Sequence, residues 1–132
     1  MADEMSLGWD SEDISDDNFL FMRVHRQLLG DSGTSVNPGA FRNRPTEKDG
    51  MSTDWQKYST AVETRNRART PRDNAVIQLQ VGAVRRLNGQ TVVHTPDIAR
   101  LNRAHTDVIG EKNPEIRLKF CRLHTVVIPL ER

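Results

Sequence analysis

Three things are scarce in this chain. One cysteine, Cys121, stands among 132 residues, so no internal disulfide can form, and a reducing compartment is expected. Aromatic residues make up only 5% and hydrophobic residues 36%, both low for a domain of this length. No apolar run approaches the ~18 residues that would span a membrane. The first residues carry acids where a secretory or mitochondrial leader would carry bases, so a soluble cytoplasmic protein is expected. Gly-rich phosphate loops of Walker or dinucleotide type are missing, and no cofactor is implied. His25, His94, His105 and His124 lack paired spacing, so no metal site is expected.

Charge is present but unevenly spread. Residues 1–17 carry seven acids and no Lys or Arg. Such a stretch buries too little apolar surface to offset chain entropy, and it reads as an acidic disordered tail. Without those seven acids, residues 18–132 hold 19 basic and 11 acidic residues, a net of +8 with His neutral. An acidic tail on a basic body points to an anionic partner, to masking of a basic face, or to a plain solubilising tail.

Residues 18–132 read as a single α+β domain, a small mixed sheet with two main helices packed on it. "NFLFMRVHRQLL" reads as a strand over its apolar run from Phe19 to Val24, ending in charge, with a helix as the alternative because the run has little strict alternation. Gly30–Gly50 is a long loop, whose Phe41 is expected to plug into the core. In "MSTDWQKYSTAVETRNRAR", Thr53 with Gln56 fits a capping box, and Trp55, Tyr58 and Val62 form one apolar stripe, predicting a helix. "NAVIQLQV" alternates as a strand. "GAVRRLNG" reads as a helical turn closed by Gly89, and "QTVVHTP" as a short strand. "TPDIARLN" predicts a short helix capped by Thr95, followed by a strand over "AHTDVIG". Asn113 and Pro114 open a helix with Ile116, Phe120 and Leu123 on its buried face. "TVVIPL" closes as a strand.

"RVHRQ", "AFRNR", "GMSTDW", "VVH" and "AHTDVIGEKNPEIRLKFCRL…VVIP" occur in that order. Together they resemble a group of small bacterial proteins with no assigned chemistry. The matching positions are Arg23, Ala40, Phe41, Ser52, Ala104, His105, Val108, Gly110 and Lys112, and the resemblance covers roughly residues 18–130. It implies a bacterial source and supplies no activity.

Two sets of residues are candidates for function. Arg65, Arg67, Arg69 and Arg72 lie close together, and with Arg85, Arg86, Arg100 and Arg103 they could present a surface to phosphates. Aromatic residues are not interleaved with them, so base stacking is not implied, and a solvated helix end is the plain alternative. The second set is Arg23, His25, Ser52 and His105, polar residues at or near strand ends that could converge on a cleft. An early Arg and Ser weakly resemble the layout of ADP-ribosyl-transferring domains, where they bind a phosphate and support the nicotinamide strand. The late catalytic Glu of those domains has no equivalent here. His105 could instead be structural, donating to a backbone carbonyl. Cys121, beside Phe120, reads as a core thiol.

Two function classes follow. One is a small accessory or binding protein acting through a protein partner, an anionic ligand or nucleic acid. The other is a small nucleotide- or NAD-processing enzyme or toxin-like domain built on Arg23, Ser52 and His105.

Overall fold

A computed structural model describes residues 8–30, 35–45 and 50–130. Among the described residues six strands form one sheet: β1 (Phe19–His25), β2 (Gly50–Trp55), β3 (Asn74–Gln80), β4 (Thr91–His94), β5 (His105–Ile109) and β6 (Thr125–Ile128). Their order is β4-β5-β2-β1-β3-β6, and every neighbouring pair is antiparallel, so the α+β class holds while the sheet is not mixed. Among the described residues three short α-helices accompany it: α1 (Ala61–Asn66), α2 (Val81–Arg85) and α3 (Pro114–Leu123). No helix among the described residues is long and apolar enough to cross a membrane.

Side chains alternate across a strand, so the register sorts residues onto two faces. Leu20 pairs with Leu79 and Trp55, Met22 with Ile77, and Met51 with Val108, which places these residues on one face. That face forms the core, together with Phe41, Ile116 and Phe120. Phe41 is fully buried and stacks on Phe120 with ring centroids 5.2 Å apart, so the loop is pinned as its sequence implied. The opposite face carries Arg23, Ser52, Asp54, His105 and Asp107. This polar face holds the candidate site.

Two expected helices are corrected. Residues 50–55 form β2, because Met51, Thr53 and Trp55 alternate into the core at a period of two. Gln56 does not cap a helix; its side-chain oxygen accepts from the Phe19 amide at 2.5 Å. The helix starts later, where Thr60 and Glu63 form the capping box. The segment after Thr95 is a turn closed by reciprocal backbone bonds between Asp97 and Asn102, both 2.9 Å, with Leu101 at φ 53°. The Thr95 hydroxyl donates to Asp107 at 2.9 Å instead of capping a helix.

The expected acidic disordered tail, residues 1–17, differs from the structure in its later part. Residues 1–7 lie outside the described residues, but the stretch from Ser11 to Asp16 is bonded along the body. Ser11 donates to the His94 carbonyl at 2.6 Å, and the Glu12 amide donates to His94 Nδ1 at 3.0 Å. Ile14 is buried, and Arg85 donates to its carbonyl at 2.6 Å. Glu12 accepts from Lys57 at 2.7 Å and from Tyr58 at 2.5 Å. These bonds pull its carboxyl down to about 2. Glu12 and Asp16 are therefore partners for cations and a hydroxyl of the body, which composition alone does not reveal.

Candidate functional site

His105 begins β5, and the register sets Asp54 opposite it and Ser52 opposite Asp107. Residues two apart on a strand share a face, so His105 and Asp107 project together, as do Ser52 and Asp54. The result is a contact between Ser52 Oγ and His105 Nε2 of 3.1 Å. On the far side of the ring, Nδ1 lies 3.0 Å from both the carbonyl oxygen and the hydroxyl of Thr95.

Arg44 completes the cluster. Its Nη1 donates to Ser52 Oγ, lies 3.2 Å from His105 Nε2, and forms an ion pair with Asp107 Oδ1 at 2.8 Å. Its backbone amide is held by the Gly50 carbonyl at 2.8 Å. Gly50 has no substituent here for a clear reason: a Cβ would stand 2.6 Å from Asp107 Oδ1. Next to Arg44, the Asn43 oxygen accepts from the buried ammonium of Lys112 at 2.8 Å, and Asn43 Nδ2 donates to the Gly110 carbonyl at 3.1 Å. Lys112 also donates to that carbonyl at 2.8 Å. Gly110 turns the chain at φ 140°, and a Cβ there would lie 2.2 Å from the Gly89 oxygen. The Gly-x-Lys pair after His105 thus ties down the loop that carries Arg44.

The cluster forms the floor of a cleft of about 480 Å³, whose other wall is the 95–100 turn. At the rim, Asp97 accepts from Arg100 Nη1 at 2.9 Å, and this bond lowers the Asp97 pKa against the opposing effect of burial. Across the ridge made by Arg44 and Ser52 lies a second depression of about 320 Å³.

The sequence-based candidates are placed as follows. Ser52 and His105 meet directly. Arg23 and His25 line the second depression, which Ser52 also borders. Arg23 donates to the Thr64 carbonyl at 2.8 Å, and His25 Nδ1 accepts from the Gln27 amide at 3.1 Å. Neither reaches the imidazole of His105. The four arginines expected to form a basic surface are engaged unequally. Arg67 is paired with the buried Asp54 at 2.7 Å, and Arg65 Nε donates to the Pro71 carbonyl at 3.0 Å. Arg69 and Arg72 are exposed. Arg44, Thr95 and Asp107 were missed. The "His-x-Asp" spacing on a strand was a usable signal for Asp107, whereas nothing local marked Arg44 or Thr95.

Burial pushes the Cys121 thiol up, away from the thiolate, and leaves it a poor nucleophile. Among the described residues no group of three or more His, Cys, Asp or Glu side chains is arranged to hold a metal. Compared with known proteins, the chain matches no family model, no curated protein and no solved structure.

Proposed function

We propose that the protein binds a small polar ligand, bearing at most one acidic group, in the cleft floored by Arg44, Ser52 and His105. The observation that carries this reading is the convergence of a guanidinium, a hydroxyl and an imidazole on one another, all bordering a cleft of about 480 Å³. That volume suits a small molecule. Arg44 Nη1 lies 2.8 Å from Asp107 Oδ1, which accepts no aligned hydrogen bond, so the carboxylate holds the guanidinium at the cleft by charge.

Charge narrows the ligand class. Arg44 faces Asp107, and Arg100 faces Asp97, so the cations in the cleft are already balanced by carboxylates. A pyrophosphate would meet two carboxylates for two guanidiniums and gain little. This disfavours the NAD- and nucleotide-processing reading. The commitment of Arg65 and Arg67 to internal bonds likewise weakens a nucleic-acid surface. A binding protein for a singly charged or neutral ligand fits best, and a bacterial accessory role is compatible with it.

Thermal melts test this directly. Propionate at saturating concentration should raise the melting temperature of the wild type, since a ligand at 100 times its Kd contributes about 2.7 kcal/mol. Arg44→Ala should lose that shift. Inorganic pyrophosphate should give no larger shift than propionate. A strong pyrophosphate shift that survives Arg44→Ala would overturn the assignment.

A further inference from the structure

We propose that Ser52 is a nucleophile and His105 its general base, so that the cleft hydrolyses small carboxylic esters; this rests on the cleft being the ligand site.

The donor and acceptor inventory fixes the ring. Arginine can only donate, so the Arg44 contact at 3.2 Å requires a lone pair on His105 Nε2. The Thr95 carbonyl can only accept, so Nδ1 carries the proton. The bare nitrogen therefore faces the Ser52 hydroxyl at 3.1 Å, within reach for proton transfer. Thr95 Oγ1 stands between Nδ1 and Asp107 Oδ2, at 3.0 and 2.9 Å. The imidazole is thus oriented from its far side by a carbonyl and by a hydroxyl backed with a carboxylate, the same roles that a catalytic triad distributes. Both Ser52 and His105 border the cleft, so an ester can reach them.

The reaction balances without any group beyond water. Ser52 Oγ attacks the ester carbon, forming a C–O bond, while its proton passes to His105 Nε2. The carbonyl electron pair moves onto oxygen, where Arg44 Nη1 can donate to it. That N–H now points at Nε2, so its transfer to the oxyanion also frees the lone pair that receives the serine proton. The bond to the alcohol then breaks, and the alkoxide takes the proton from His105. Water attacks the acyl-Ser52 ester by the same route, releasing the carboxylic acid and restoring the hydroxyl. The net change is ester plus water giving acid plus alcohol. The acid product carries one negative charge, the ligand class the balanced cleft admits.

An alkyl fluorophosphonate tests the nucleophile. Its phosphorus–fluorine bond breaks as a Ser52 Oγ–phosphorus bond forms. The full chain should gain one adduct by intact mass, and peptide mapping should place it on Ser52. Ser52→Ala should gain none. His105→Asn should label at least ~100-fold more slowly, the low end of what a positioned base supplies. Melts of both variants establish that they are folded, and the mapped site in the wild type stands independently of either. No adduct on the wild type, or an adduct that persists in Ser52→Ala, overturns the proposal. A propionate shift without any adduct defeats hydrolysis and leaves the ligand site standing. An adduct on Ser52 without a propionate shift supports the nucleophile and defeats the ligand class.

Discussion

Replacing Asp54 with alanine should cost about 2–3 kcal/mol of stability, the upper part of the range for leaving buried hydrogen-bond donors without their acceptor. Asp54 is only 4% exposed and accepts three side-chain bonds: Thr64 Oγ1 at 2.9 Å, Arg67 Nη1 at 2.7 Å and Asn102 Nδ2 at 2.8 Å. These donors come from α1, from its C-terminal end and from the 95–103 segment. Without the carboxylate, Asn102 loses its acceptor inside the fold, and Arg67 keeps Ser59 Oγ at 2.9 Å. Because Asn102 closes the turn with Asp97, the far wall of the cleft should loosen as well. Urea denaturation read beside propionate binding checks both effects. A loss under about 1 kcal/mol with unchanged binding would show that the wall does not depend on this carboxylate.

Deleting residues 1–17 should lower stability by roughly 2 kcal/mol, less than the sum of its contacts because the freed chain regains entropy. Ile14 leaves the core, and the buried His94 loses the Glu12 amide at Nδ1. The difference between full and truncated chains should depend on pH with a definite sign. The Glu12 carboxyl is depressed from 4.5 to about 2 in the folded chain. Its contribution is therefore present above pH 4.5 and is lost as pH falls toward 2. Melts of both chains at neutral pH and near pH 3 should show the gap narrowing in acid. Equal midpoints at neutral pH would mean that the segment only lies along the surface.

Much of the fold was written locally. "NAVIQLQ" alternates and becomes β3, and Asn113 caps α3 by accepting from the Ile116 amide at 2.9 Å. Phe41 interrupts a polar loop and fills the core for that reason. Residues 50–55 misled because "TDWQ" satisfies a capping pattern while Met51, Thr53 and Trp55 satisfy a strand, and burial against Leu20 and Val108 decides between them. Thr95 misled in the same way, since its hydroxyl had two uses and Asp107 took it.

The site was half legible. Ser52 and His105 could be chosen as polar residues near strand ends, but their contact spans 53 positions of sequence and depends on β2 pairing with β5. No local pattern encodes that pairing. Arg23 was the conspicuous early arginine, yet Thr64 sits over it, while Arg44 reaches the imidazole from a loop whose path is set by Lys112 and Asn43. The acidic segment was misjudged because composition counts its charges and does not see the partners that receive them.

The central claim is that Arg44 and Ser52 converge on a bare Nε2 of His105. Nitrogen-15 NMR of the labelled histidine rings at neutral pH reads this directly, with His105→Asn used to assign the signal. The predicted result is a ring protonated at Nδ1 and unprotonated at Nε2, whose Nε2 resonance moves when propionate is added. A His105 ring protonated at Nε2, with no response to propionate, would contradict both the arrangement of the cluster and the function drawn from it.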